Sequence, residues 1–249
     1  MRKVLFLLFL FSSSLMFGQN ENFTKQGFLF TPHIGHQIPK GDMYDRFLNF
    51  NSLGMSAYFK GNKNFVYGLD YDWYFGNSLN EGGTFSEITA EDQQIIDSDG
   101  HFSIVRLNIK GNYATANFGY LFNLPKDERN SGILVMVGAG FMQHKIDLVS
   151  SQLKVPQING AYEKGYDKLT YGFATKQYVG YQYLVTKNRY HFRAGVEFNQ
   201  GFTQGRRTWD FNANQSGLDQ RFDATIAFKL GIVVPVYTKD AADEEFFID

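Results

Sequence analysis

The residues best placed to do chemistry are His101 and Ser103, which in an extended chain put both side chains on one face. An imidazole there would take the serine proton, with Asp97 or Asp99 orienting the ring, the layout of a nucleophilic hydrolase. Two polar residues at a loop edge are ordinarily just solvated, and no other hydrolase feature accompanies them. Asp97-Ser98-Asp99-Gly100 resembles the start of a calcium loop but lacks the later ligands, notably a glutamate at the twelfth position, so it reads as a solvated acidic turn. His33 and His191 point inward from two strands and read as polar filler, a metal pair being the alternative. The chain has no cysteine and no phosphate-cradling glycine motif. No catalytic, cofactor or metal residue is therefore assigned.

The elements that carry these residues repeat with period two. Phe65, Tyr67, Leu69, Tyr71, Trp73 and Phe75 alternate with Val66, Gly68, Asp70, Asp72, Tyr74 and Gly76, one face aromatic and apolar, the other mostly small or charged. The same alternation runs through 190–199, through 222–232, through Leu53 to Phe59 and along 27–38, with weaker versions over 132–148 and 170–185. Between Val105 and Phe122 the apolar parity changes, and a β-bulge near Gly111 and Asn112 would restore the facing. These segments make eight strands.

Connections 60–64, 123–131 and 185–189 are short or moderate, whereas 39–49, 77–104, 150–169 and 204–218 are long. In an antiparallel meander the long ones share one end, as in an outer-membrane barrel with extracellular loops and periplasmic turns. About 9 to 11 tilted residues cross the hydrocarbon layer, and a sheet survives there only if its edges close. The expected fold is all-β, an eight-stranded antiparallel up-and-down transmembrane β-barrel. A secreted lipocalin-like barrel is the alternative, with its apolar face inward. Facing lipid, a charge at the midplane costs roughly 2 to 4 kcal/mol, so Asp70, Asp72, Arg193, Glu197, Arg221, Asp223 and Lys229 belong in the lumen, where both signs pair.

Arg2 and Lys3, the apolar run Val4 to Phe11, and Gly18 before Gln19 form an export signal, giving residues 1–18 as a cleaved peptide, 19–238 as the barrel and 239–249 as an acidic periplasmic tail. Beyond the signal stand 22 basic against 25 acidic residues, a net charge of −3 that makes no case for nucleic acid. Aromatics make up 17% of the chain, which suits a lipid-facing band with interfacial girdles. Pro32 and Pro235 cannot donate to the ladder, so the seam between the first and last strands should open in the periplasmic half. One reading is that the prolines end regular pairing near the interface and the tail is disordered; the other is that Glu244 and Glu245 steer a periplasmic partner there and Phe246 and Phe247 anchor it.

Several stretches carry a resemblance. They are 41–43 through Arg46-Phe47, Tyr74-Phe75-Gly76, 131–134, 143–146, 155–157, 164–169 and 201–204, in order along nearly the whole mature chain. In these the sequence resembles the small eight-stranded outer-membrane barrels of Bacteroidota, some of which are similar to accessory barrels of the type IX secretion translocon. The resemblance implies a non-enzymatic structural or partner-binding subunit of an envelope complex, accessory to protein secretion. Its partners would be outer-membrane lipid and an envelope or secretion-complex protein, with no cofactor. The alternatives are an outer-membrane hydrolase acting on lipid A or peptide through His101 and Ser103, and a small-solute channel, which a charge-filled lumen disfavours.

Overall fold

The computed structural model describes residues 26–80, 94–124, 130–150, 155–158, 160, 162–184 and 191–237. The expected signal peptide and acidic tail, with Glu244, Glu245, Phe246 and Phe247, lie outside the described residues. β1 (Gly27–Gly41) leads through a short helix α1 (Asp42–Arg46) to β2 (Phe50–Lys60) and β3 (Phe65–Gly76). Next come β4 (Gln94–Ile96), β5 (Phe102–Asn123), β6 (Gly132–Ser150), β7 (Thr170–Tyr183) and β8 (Phe192–Gly205). A hairpin of β9 (Arg207–Asp210) and β10 (Gln215–Gly217) precedes β11 (Gln220–Ile232) and β12 (Val234–Tyr237). Every neighbouring pair is antiparallel, and β1 closes the sheet against β11 and β12, which together form the eighth barrel strand.

The stagger follows from the register. The row Phe30, Ala57, Leu69, Ala116, Ala139, Thr175, Gln200, Ala224 returns to β1 at Lys40, ten residues further along the strand. A barrel of eight strands with that shear has tilted strands and an interior just wide enough for side chains. Connections 61–64, 124–131 and 184–191 lie at one end. At the other, 42–49, 77–101, 151–169 and 206–219 contain α1, β4 and the β9–β10 hairpin. Asn64, at φ 63°, makes the tight turn into β3, a conformation that asparagine tolerates. Gly41 (φ 58°, ψ −147°) lets β1 bend into α1 while lying against the Phe222 carbonyl, a place with no room for a Cβ.

The barrel is apolar outside and charged inside. Leu69 is 65% exposed, whereas Asp72, three residues on, is 0% exposed. Aromatics gather at both edges of the outer belt. Phe28 packs on Phe59, Tyr120 on Phe122 and Tyr183 on Phe192 near the short-turn end, while Trp73 meets Phe75, Phe141 meets Tyr171 and Phe202 meets Phe222 near the other. A lipocalin-like barrel, with its apolar face turned inward, is ruled out by this arrangement.

Two expectations are corrected. β5 pairs without interruption with β3 from Gly76↔Ile109 to Phe65↔Tyr120, and with β6 along the whole of Val105 to Asn123, so there is no bulge at Gly111. Val105 and Ile109 point inward with Tyr113. The apolar parity changes because the strand outlasts the bilayer: above it the inside is an apolar core and Arg106, Asn108 and Lys110 take the outer side. The seam does not open either. Pairing stops only at Thr31 and Pro32, opposite Ile232 and Val233, and resumes from Phe30↔Val234 to Gly27↔Tyr237, with Pro235 seated opposite Leu29. Pro32 brings no N–H to the ladder where it breaks, but the flanking residues hold the two strands together.

Candidate functional site

Alternation along five strands delivers one charged cluster to the middle of the lumen. β3 contributes Asp70 and Asp72, β1 His33, β7 Lys176, β8 Glu197 and β11 Lys229, all buried. Lys176 pairs with Asp70 and lies 2.8 Å from Glu197; Lys229 lies 2.5 Å from Asp72 and 3.1 Å from Glu197. His33 Nε2 is 3.0 Å from Asp72, and the Tyr58 hydroxyl donates to Asp70 at 3.0 Å. His33, Asp70 and Asp72 are close enough to one another to hold a metal ion, but two ammonium groups already sit on those carboxylates. Charges buried this way persist because each is paired; removing one partner leaves its neighbours uncompensated.

Nearer the long-loop end a second cluster forms. His144 Nε2 lies 2.9 Å from Asp223, which also accepts from Thr203 at 2.5 Å and from Arg221 at 3.3 Å. Arg221 reaches on to the Asp42 carbonyl, and the Asp42 carboxylate accepts the Phe222 amide at 2.6 Å, pinning α1 to β11. Arg46, at the other end of α1, donates to Thr170 at 2.8 Å and to the Lys168 carbonyl at 3.1 Å. So held, α1 drops Met43 and Phe47 into the barrel mouth, both at 0% exposure, and the Phe47 ring meets His144 edge-on at 5.5 Å.

The short-turn end is closed by an apolar layer that includes Leu29, Tyr58, Leu121, Leu134, Tyr178 and Val233. Arg193 stacks 5.0 Å over the Tyr58 ring and donates to Gln182 at 2.7 Å. Between this layer and the central cluster is a cavity of about 20 Å³, lined by His33, Asp70, Arg193 and Glu197, room for a single water.

The seven charged residues assigned to the lumen all face inward, but they do not form one network. Asp70, Asp72, Glu197 and Lys229 meet in the centre, Arg221 and Asp223 belong to the upper cluster, and Arg193 makes its polar contact with Gln182. Sequence reasoning missed Lys176, His144 and the α1 plug. His33 joins Asp70 and Asp72, not His191, which precedes β8 at the short-turn end.

The hydrolase candidates differ in burial. His101 is exposed and Ser103 fully buried; Asp97 lies 3.9 Å from His101 Nδ1 and also accepts the amides of Asp99 and His101, at 2.9 and 2.8 Å, in the turn between β4 and β5. Asp167 is the hub of the outer end. It takes a two-pronged bond from Arg207, from Nε at 2.7 Å and from a terminal guanidinium nitrogen, which pushes the guanidinium above its ordinary pKa, and its carbonyl accepts the Ile146 amide at 2.7 Å. Lys145 bonds Glu163 at 2.9 Å, Lys168 lies 3.4 Å from Asp210, and the Phe211 amide bonds the Gly165 carbonyl at 3.0 Å. These ties hold the β9–β10 hairpin against the 162–169 segment, leaving Tyr44, Tyr162, Trp209 and Phe211 exposed.

No family model and no curated protein matches the chain. Among solved structures it is similar to Ail, the attachment invasion locus protein of Yersinia pestis, in complex with the heparin analogue sucrose octasulfate, at 10% identity over 85% of this chain and all of that one, TM-score 0.43. It is also similar to the N-terminal β-barrel domain of Pseudomonas aeruginosa OprF (12% identity, 85% of this chain and 100% of that one, TM-score 0.36). A third is the P. aeruginosa outer membrane protein OprG (9%, 88% of this chain and 98% of that one, TM-score 0.32). At these values the likeness concerns the barrel shape alone. A closed barrel that is apolar outside and charged inside is stable in a bilayer, and the chain is an outer-membrane β-barrel protein.

Proposed function

We propose that this barrel is neither an enzyme nor a channel, and that it serves as a structural or partner-binding subunit of an envelope complex through its long-loop end. The observation that carries the reading is the closure of the lumen at three levels: Met43 and Phe47 at the mouth, the Lys176 and Lys229 cluster in the middle, and the Tyr58 layer below. With the described residues filling the lumen at these levels, the surface left for function is the outer end, where cross-ties between loops present aromatic side chains on a firm support. Full burial of Ser103, with the His101 ring exposed to solvent, speaks against the hydrolase reading. An accessory role in protein secretion is the finer form of the proposal, and the resemblance to Bacteroidota barrels is its support.

The test is purification from native membranes followed by mass spectrometry, comparing the wild-type chain with one in which 206–219 is replaced by a short turn. An envelope protein that co-purifies with the first and not the second is the expected result. Equal recovery with both would place binding elsewhere and overturn this reading.

A further inference from the structure

The outward side chains on the wall from β3 to β8 change character row by row towards the long-loop end. In the belt, Tyr71, Ala114, Phe141, Phe173 and Phe202 are cross-strand neighbours. Two residues nearer the long loops on each strand, about 7 Å along it, the row becomes Trp73, Asn112, Gln143, Tyr171 and Gln204, amides set between girdle aromatics. The next row is cationic. Lys110 sits between Phe75 and Lys145, and Arg206, whose backbone amide donates to the Leu169 carbonyl at 2.8 Å, continues the row just past β8.

These cations are not all used up inside the protein. Lys145 lies 2.9 Å from Glu163 and 3.9 Å from Asp147. Lys110 and Arg206 are exposed, and among the described residues no carboxylate pairs with either. The Arg206 guanidinium stacks 4.1 Å from the centre of the Tyr171 ring, which holds it at the edge of the girdle. Lys110 and Lys145 stand directly opposite each other, an arrangement that costs stability in a sheet unless an anion answers it, and Glu163 answers only Lys145. At the short-turn edge of the same wall Phe65, Phe122, Ile133 and Phe192 face out, and the described strand residues there include no outward cation.

Beside the cationic row the wall meets the headgroup layer, and basic residues at that depth attract anionic headgroups. The three rows offer, in order, apolar surface for acyl chains, amides for sugar hydroxyls and cations for phosphate. Lys110 and Arg206 are three strand spacings apart, about 14 Å, so they reach the two ends of one disaccharide headgroup. We propose that the outer wall of β5 to β8 binds a phosphorylated lipid A of the outer leaflet, with Lys110 and Arg206 each on a phosphate and Asn112 and Gln143 on the sugars between. The reading rests on the long-loop end facing outward and not on the partner-binding role of the loops: either can fail without the other.

Native mass spectrometry of the purified barrel, titrated in detergent with bisphosphorylated lipid A, reads the lipid bound per barrel. A single tightly bound lipid is expected, and the double variant Lys110→Gln with Arg206→Gln should weaken it roughly tenfold. Heat-dependent gel mobility shows that the variant remains folded. Enzymatically dephosphorylated lipid A should bind the wild-type chain more weakly by a similar factor. Lys40→Gln, at an outward lysine of β1 whose cross-strand neighbour is Ala224, should leave the affinity unchanged, and excess inorganic phosphate at constant ionic strength should not displace the lipid. Equal affinity for the dephosphorylated lipid, an undiminished affinity in the double variant, an equal loss with Lys40→Gln, or displacement by inorganic phosphate, meaning a site for soluble anions, would each overturn the proposal.

Discussion

Replacing Lys176 with methionine tests the central cluster with little change of volume, so the loss measures charge and not packing. The ammonium is 0% exposed and serves two carboxylates, Asp70 and Glu197. Once it is gone, Glu197 keeps Lys229 at 3.1 Å, but Asp70 is left with the Tyr58 hydroxyl and with His33 at 3.9 Å. Breaking a buried pair from one side costs about 3 to 5 kcal/mol, and that is the expected loss for Lys176→Met. The cost resides in the carboxylate left behind, so Lys176→Met combined with Asp70→Asn should recover at least half of it. Urea unfolding of barrels refolded into lipid vesicles, followed by the fluorescence of Trp73 and Trp209, gives the free energies. A single variant within about 1 kcal/mol of wild type, or a double variant whose loss is the sum of the two single losses, would refute the argument.

The outer face gives a companion prediction: Val179→Lys, between Gln177 and Tyr181, should cost roughly 2 to 4 kcal/mol in the same assay, while Gln143→Lys, beyond Phe141, should cost about 0 to 1. Equal losses would misplace the belt. Orientation is checked by Ala213→Cys in the β9–β10 hairpin and Lys63→Cys in the 61–64 turn. A membrane-impermeant maleimide should label the first on intact cells and the second only after lysis, and the reverse pattern would invert the barrel. Truncation after Tyr237 should leave barrel assembly and heat-dependent mobility unchanged, because the chain up to Tyr237 already closes the seam against β1 down to Gly27; failure to assemble would show that the remaining residues are needed for folding.

Legibility in the sequence depended on how each strand sits in the bilayer. β3 could be read outright, because its whole length lies within the belt and every second side chain is aromatic or aliphatic. β5 was misread at Val105 to Ile109 because its upper part stands clear of lipid, where the rule that apolar residues face outward no longer holds. β7 hid Lys176: Thr175 and Gln177 interrupt the outer face, so neither parity looked apolar, and the lysine at the centre of the lumen could not be assigned to a side. His144 follows Gly138, Gly140 and Met142 on the inner side of β6, a series with no charged neighbour to flag it. The plug was beyond pattern reading altogether, since Met43 in a five-residue helix and Phe47 just after it are buried by tertiary contacts and not by any periodicity. Pro32 and Pro235 did mark the seam, but the ladder tolerates them because the paired residues on both sides keep the strands in register.

The central claim is that the lumen is sealed. Ion conductance across planar bilayers measures it directly, using barrels whose folding has first been verified by heat-dependent mobility. The structure predicts no conductance above that of bare lipid, for the wild type and also for Phe47→Ala, since the central ion-pair cluster and the Tyr58 layer still close the passage. A stable open level from the wild-type barrel would contradict the account.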